Sequence, residues 1–397
     1  MLSFALDPLA PRRQENPPMP GPLDGLRVVD LSSHLSGPYC AMLLGDLGAD
    51  VVKIERPGIG DDARKMPPFV EGEGAPFMLW NRNKRSVALD LKEPDGKAQF
   101  LALVKDADIL VENFRPGTLD RLGLGWEVLR DLNPRLIYAA ISGFGQTGPL
   151  RDKGGFDLMT QAMSGLMAVC GEADGPPHRL PIAISDVGAG MFLALGVTAA
   201  LEARRRTGRG QMVETSLLEA AVSFGVYEAA NYFATGERPA RLGQAHRGSA
   251  PYQVFQTEDG WLTIGGSQQN FFERLCAILG LSELFTDPRF TTNALRVANN
   301  SILVDLLQEP LRKRPTAHWQ RLLDEAGIPA GPVLHHDEVF AHPQIRARGM
   351  VAEIDHPKAG RHRTLGNPLH FSETPAAVRR PAPLLGEHTG EVLKPRK

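Results

Sequence analysis

Asp186 is the side chain in this sequence best placed for covalent chemistry. It lies in PIAISDVGAGMFLALG, directly after an apolar strand-like segment and at the start of a small-residue run that reads as a helix. A carboxylate at a helix N-terminus is held ionised by orphan N–H groups and by the helix dipole. Such a group can be an N-cap and nothing more, or an aspartate nucleophile that reaches a pocket. Gly188 and Gly190 leave room beside it for a substrate or for a closely packed helix. Local pattern does not separate these readings.

Other signals are weaker. Gly143-Phe144-Gly145-Gln146-Thr147-Gly148 matches G-x-G-x-x-G after a strand and raises a dinucleotide site. That fingerprint should open a helix directly and be followed about twenty positions later by an acidic residue. Pro149 and RDKGG follow instead, so the segment reads as a glycine loop over a pocket. No P-loop pattern and no G-x-S-x-G nucleophile elbow is present. The 11 histidines form no H-E-x-x-H motif, and the adjacent pair His335-His336 does not converge on regular structure. Cys40, Cys170 and Cys276 are far apart, which excludes a disulfide scaffold or zinc ribbon and fits a reducing cytosol.

The elements that must position these groups follow from length and pattern. A chain of 397 residues is too long for one compact core and suggests two domains. Net charge is −2, with no electrostatic footprint for nucleic acid and no polybasic membrane patch. Mean hydropathy is −0.19, and no apolar run reads as long enough for a membrane span. The proline-rich residues 1–23 read as a disordered leader. LRVVDL (Leu26–Leu31), the helical YCAMLLGDLG and DVVKIE (Asp50–Glu55) make a strand–helix–strand unit, hence a parallel sheet. KAQFLALVKDA, DILVEN and RLIYAAIS continue the alternation, which is that of a doubly wound α/β domain. Two helical stretches follow, FDLMTQAMSGLMAV and GAGMFLALGVTAALEARRR. Composition shifts near residue 222; Tyr252–Gly266 reads as a hairpin turned at Asp259-Gly260, and helices run on to about Gly327. The expected division is a leader over 1–23, a large domain over 24–222, a small domain with linkers over 223–332, and a C-terminal part, 333–397, returning to the large domain.

These residues resemble the class III coenzyme A transferases, the family of formyl-CoA and succinyl-CoA-dependent carboxylate transferases. The resemblance runs from about Gly21 to the C-terminus, through PLDGLRVVDLSSHLSGP, LGDLGADVVKIERPGIGDDAR, NRNKRSVALDLK, VENFRPGTLDRLGL, ISGFGQTGP, SDVGAGM, RTGRGQMVETSLLEA and PAPLLGEHT. It implies an α/β fold with a large Rossmann-like domain whose parallel sheet is built from both chain ends, a smaller α/β domain, and an interlocked homodimer. It makes Asp186 the nucleophile, forming a mixed anhydride and then an aspartyl-CoA thioester. Coenzyme A and its acyl thioesters are then substrates, with no cofactor bound permanently and neither ATP nor a metal required.

Leu35, Ser36, Arg56, Leu89, Lys92, Asn113, Phe114, Arg115 and Arg121 align with CoA-contacting positions of the family, and Phe156 and Asp157 are counted with them. Gly265-Gly266 stands where the family has a glycine-rich loop whose N–H groups could stabilise an oxyanion. Racemases of the same fold use a histidine just before the aspartate of a G-H-D-type motif. Here the segment is Gly155-Phe156-Asp157. Phe156 can act as neither acid nor base, and Asp157 is left to position Asp186 or its loop. NRNK (Asn81–Lys84), ANYF and AHRGSAPYQ are nearest the branch handling dicarboxylates, with Arg64, Arg82, Arg247 or His246 as partners for the second carboxylate. The expected partners are acyl-CoA, small carboxylic acids and a second copy of the chain, in the cytoplasm, without nucleic acid or membrane. An acyl-CoA racemase, a dinucleotide-dependent oxidoreductase and a catalytically silent CoA binder are the alternatives.

Overall fold

A computed structural model describes residues 20–394. Of the expected leader, residues 1–19 lie outside the described residues. Its end is tied down: Leu23 donates its N–H to the Leu47 carbonyl at 2.9 Å.

Six parallel strands form the main sheet: β1 (Arg27–Asp30), β2 (Asp50–Glu55), β3 (Lys84–Ala88), β4 (Ile109–Glu112), β5 (Ile137–Ser142) and β6 (Met212–Ser216). Their spatial order is β3-β2-β1-β4-β5-β6. That is the doubly wound order, with the chain changing direction across the sheet between β1 and β4. β5 is buried at every position, as a strand covered on both faces must be. β1, β2, β4 and β5 follow the apolar segments that mark them in sequence. β3 (KRSVA) and β6 (MVETS) carry no such mark, because Lys84 and Ser86 of β3 are buried polar residues.

The chain forms two compact units. Of the described residues, the first comprises 20–154, Asp186–Ser216 and 348–394. It holds the six-stranded sheet, helices α1 (Ser36–Asp46) and α2 (Pro94–Lys105), and an antiparallel hairpin, Val351–His356 with Gly360–Leu365. Its C-terminal segment runs along the outer edge of β3. Ser86 exchanges bonds with His388, and the Ala88 N–H donates to Thr389 Oγ1 at 3.0 Å.

The second unit comprises Gly155–Ser185 and Leu217–Ala347. The sequence boundary near 222 falls inside its helix Leu217–Phe224, and that near 332 at the end of its strand Ala330–Pro332. Antiparallel strands β7 (Tyr252–Gln256) and β8 (Trp261–Gly265) pair as the expected hairpin, joined by β9 (Ala330–Pro332). Phe255, Leu262 and Ile264 pack there with Phe272, Leu303, Leu307 and Trp319. FDLMTQAMSGLMAV is broken into helix α3 (Asp157–Met163) and a short turn of helix at Leu166–Val169, because Gly165 takes φ of 91° between them. GFGQTG opens no helix: Gly145 and Gly148 sit at φ of 100° and 84° in a loop after β5.

Helix α4 (Ile184–Thr207) corrects the reading of membrane-span length, since by length and composition alone it could cross a bilayer. Within the first unit a methyl at Gly190 would meet the Ser36 carbonyl at 2.7 Å, and one at Gly196 would meet Val213 at 2.7 Å. The small residues of α4 thus let it lie close against α1 and β6. Its last turn carries Arg204, Arg205 and Arg206, favourable at the negative end of a helix.

Candidate active site

The loops at the carboxyl ends of β3, β2, β1 and β4 enclose a cleft of about 360 Å³ within the first unit. Its walls include Leu31–Ser33 after β1, Glu55 and Arg56 at the end of β2, Leu89–Lys92 after β3, and Phe114 after β4. A crevice at the topological switch point is where open α/β sheets take their ligands. Arg56, Leu89, Lys92 and Phe114, four of the residues singled out in sequence, line it together. Leu89 is buried as floor, whereas Arg56 and Lys92 are exposed cations at the mouth.

Beneath the cleft lies an ionic cluster that sequence reasoning missed. Lys53 Nζ sits 2.8 Å from Asp61 and donates to the Ser32 carbonyl at 2.7 Å. Lys84 Nζ reaches Asp30 at 2.9 Å, the Pro38 carbonyl at 2.8 Å and Asn81 at 2.8 Å. All four charged side chains are essentially without solvent contact. Burial opposes the charge on Asp30, but Lys84 and Lys53 outweigh it and hold its pKa low. Burial likewise disfavours the Lys53 ammonium, yet Asp61, Asp30 and Glu55 raise its pKa. Lys84 goes the other way, lowered to about 8 by burial beyond what Asp30 restores. The signal available in sequence was the lone lysine in the apolar run DVVKIE.

The cluster fixes the first loop of the cleft from below, and Asn113 fixes it from the side. Asn113 accepts from the Ser33 N–H at 2.8 Å, donates to the Ser33 carbonyl at 2.8 Å, and donates to Ser36 Oγ at 3.3 Å. Ser36 is buried at the start of α1, and Leu35 is the residue before it, half-buried. Asn113 and Ser36 are therefore brought together as a clamp on the loop. Arg115 lies against the backbone of Gly154, 2.7 Å from where a Cβ would stand. Arg121 is exposed and donates to nearby Thr118 at 3.1 Å.

Asp186 is half-buried in the first turn of α4. It stands four residues before Gly190, so both occupy one helix face. That face is the one packed on Ser36 and Tyr39 of α1. In the second unit, Asp157 accepts the Ser185 N–H at 2.9 Å and the Gln161 side-chain N–H at 2.7 Å. Phe156 precedes α3 with its ring 66% exposed.

The candidate anion-binding arginines are engaged within the fold. Arg82 is buried and holds Asp46 through a two-pronged contact at 3.1 and 2.7 Å. Arg64 grips Glu55 at 2.7 Å with both prongs and stacks on Phe77 at 3.7 Å. Arg247 pairs with Glu228 at 2.9 Å. Those partners leave none of the three as an open fork for a substrate carboxylate. The Gly265 and Gly266 N–H groups donate to the carbonyls of Pro329 and Pro251 at 2.8 and 3.0 Å. An oxyanion role for these amides requires both bonds to open. His246 is half-buried between Tyr227 and Tyr252, with ring centroids 5.4 and 5.1 Å away.

The profile described as CoA-transferase family III matches residues 23–389. The chain belongs to this family. It is 41% identical over 374 residues to the mouse (Mus musculus) succinyl-CoA:glutarate CoA-transferase, covering 94% of this chain and 86% of that protein. It is 43% identical over 376 residues to the acetyl-CoA:oxalate CoA-transferase of Acetobacter aceti, covering 94% and 95%. A crystal structure of a CAIB/BAIF family protein from Brucella suis superposes with a TM-score of 0.85 at 39% identity, covering 94% of this chain and 98% of that one. The protein is thus a CoA-transferase, and CoA thioesters are its substrates. The α/β fold with its six-stranded parallel sheet matches that solved structure at this TM-score.

Proposed function

We propose that this transferase takes CoA from succinyl-CoA or a closely similar donor and passes it to a small dicarboxylic acid, with Asp186 as nucleophile. The observation that carries this reading is the position of Asp186, one helical turn from Gly190, where α4 meets Ser36 at the clamped loop of the cleft. The relatives' named acceptors, glutarate and oxalate, are both dicarboxylates.

The steps exchange one anion for another. An Asp186 carboxylate oxygen attacks the donor thioester carbon; a C–O bond forms, the C–S bond breaks, and CoA leaves as thiolate. The thiolate then attacks the aspartyl carbonyl, forming a new C–S bond and expelling the donor acid as carboxylate. The acceptor carboxylate attacks this aspartyl thioester and regenerates the thiolate. Attack of the thiolate on the acceptor's carbonyl releases the new acyl-CoA and frees Asp186. Acyl bonds of similar energy are traded throughout, so the scheme calls for neither ATP nor a metal.

Arg56 and Lys92 serve the phosphates of CoA at the cleft mouth, Leu89 and Phe114 its apolar wall, and Leu35 and Ser36 the loop backbone. Arg115 and Arg121, assigned to CoA from the family resemblance, serve the same ligand. Asn113 and Asp157 act by positioning. The working form is a homodimer in a reducing cytoplasm. Val226 and Phe233 on helix α5 (Val226–Thr235) are 71% and 82% exposed, the kind of surface that a second copy covers. Phe156 supplies neither acid nor base for racemisation.

The test is intact-protein mass spectrometry after incubation with succinyl-CoA and hydroxylamine. An activated aspartyl group should be trapped as a hydroxamate, about 15 Da heavier. The adduct is expected on the native protein and absent from Asp186→Ala. Its absence from the native protein with every acyl-CoA tried, despite CoA binding, would overturn the nucleophile.

A further inference from the structure

Resting on the reading of Arg56 as a contact for a CoA phosphate, we infer that Asp62 competes with that phosphate for the Arg56 guanidinium and so limits how tightly CoA is held. Both residues line the cleft within the first unit.

The backbone puts the two charges side by side. After Arg56 it turns back, with Gly58 and Gly60 at φ of 69° and 71° and the Gly60 N–H donating to the Arg56 carbonyl at 2.9 Å. Glycine takes such values without a steric penalty. Asp62 then opens the short 3-10 helix Asp62–Lys65. Its Oδ1 lies 3.7 Å from the Arg56 guanidinium, and its Oδ2 lies 3.7 Å from His34 Nε2. Charge-assisted hydrogen bonds from such nitrogens span about 2.7–2.9 Å, so neither contact is one. The side chains of Arg56, Asp62 and His34 are 61%, 48% and 53% exposed, and an ion pair so placed is weak. Asp62 is thus drawn to Arg56 without being locked to it.

The backbone beneath Asp62 is fixed. Neighbouring Asp61 is buried against Lys53 at 2.8 Å and accepts the N–H groups of Ala63 and His34 at 2.9 and 3.0 Å. Its own N–H donates to Glu55 at 3.0 Å. Asp62 can therefore swing its carboxylate but cannot leave the mouth, which makes it an intramolecular ligand at constant effective concentration.

A guanidinium only donates, so a carboxylate and a phosphate make the same demand on it. A phosphate that closes to hydrogen-bond distance gains charge-assisted bonds that Asp62 lacks at 3.7 Å. It displaces the carboxylate, yet the bound state has lost one ion pair and sets two anions near each other. Every turnover must release an acyl-CoA, and a competitor waiting at the mouth favours that release.

The test is a double-mutant cycle read by calorimetric titration with CoA at low salt. Asp62→Asn keeps the shape of the side chain and removes its charge. It should tighten CoA binding about 2- to 5-fold, the range of an exposed charge pair. Loss of a merely structural contact would weaken binding instead. In the Arg56→Ala background the same substitution should gain little, because the group competed for has gone.

No gain from Asp62→Asn, or a loss, would overturn the inference while leaving the role of Arg56 intact if Arg56→Ala still weakens binding. A gain of equal size in both backgrounds would overturn it too, since that marks general repulsion of the phosphates and no exchange on Arg56. Native CoA affinity in Arg56→Ala would bring down the phosphate contact itself, and the competitor with it.

Discussion

Asp157 accepts the backbone N–H of Ser185 at 2.9 Å, on the residue that immediately precedes Asp186. One carboxylate thereby takes up an orphan donor at the first turn of α4. Its second oxygen is held by Gln161 at 2.7 Å. Asp157→Ala should lower kcat at least tenfold with CoA affinity unchanged, since hydrogen bonds to charged groups contribute about 1.5–3 kcal/mol. Steady-state kinetics beside calorimetric CoA titration separates the two parameters. An unaltered kcat would remove Asp157 from any positioning role.

Gly190 has no room for a side chain. Gly190→Ala places a methyl 2.7 Å from the Ser36 carbonyl, an overpacking expected to cost about 1–3 kcal/mol. Because Ser36 ends the clamped loop, the KM for CoA substrates should rise together with a fall in Tm. A fall in Tm alone would show that α4 shifts without moving the loop.

Lys53 neutralises Asp61 and contributes to holding Asp30 ionised. Lys53→Met leaves buried carboxylates without that partner, a change of roughly 3–5 kcal/mol. Urea unfolding should show a lower midpoint with an unchanged slope. A midpoint close to that of the native protein would mean that Lys84 alone suffices for the cluster.

Glu112 ends β4 in the core, and burial raises its pKa to about 8 although the Phe114 N–H and Tyr138 hydroxyl pull it down. The folded protein then keeps a proton that the unfolded chain has lost above the ordinary carboxylate value of about 4.3. Stability from this group is complete below that value, declines as pH rises, and has gone once pH passes the folded value. Glu112→Gln should therefore gain in Tm over the native protein from about pH 5 to pH 8, and by a constant amount above that. Calorimetric scans across the range decide it; a pH-independent difference would contradict the assignment.

Arg56 and Lys92 are exposed at the cleft mouth. Arg56→Ala and Lys92→Ala should each weaken CoA binding several-fold, within the roughly 0.2–1 kcal/mol of exposed charge pairs. The loss should shrink as salt screens the phosphates. Titrations at low and high ionic strength check both; equal losses at both would point away from charge.

The sequence shows some of this architecture and hides the rest for physical reasons. β1, α1 and β2 are legible because Val28, Val29, Val51 and Val52 make short apolar runs around a helix of small residues. β3 is not, since Lys84 and Ser86 look like solvent residues until Asp30 and Glu55 are found beside them. The place of Asp186 at a helix start can be read locally. That Arg64 and Arg82 are engaged by Glu55 and Asp46 cannot, because those pairs are made in three dimensions across 9 and 36 residues. Asn113 stands in the expected neighbourhood, yet its hydrogen bonds go to the loop itself, a distinction only geometry supplies.

Covering of the β3 edge sets a timetable for biosynthesis. Ser86 and His388 are 302 residues apart, so a ribosome needs roughly 15–60 s between them at about 5–20 residues per second. Through that interval the nascent sheet carries a bare edge, a template for pairing with another chain. A premature stop just before His388 removes only the tail of the protein, far along the chain from Asp186. Its consequence is insoluble product and a demand on chaperones, even though every residue of the cleft has been translated.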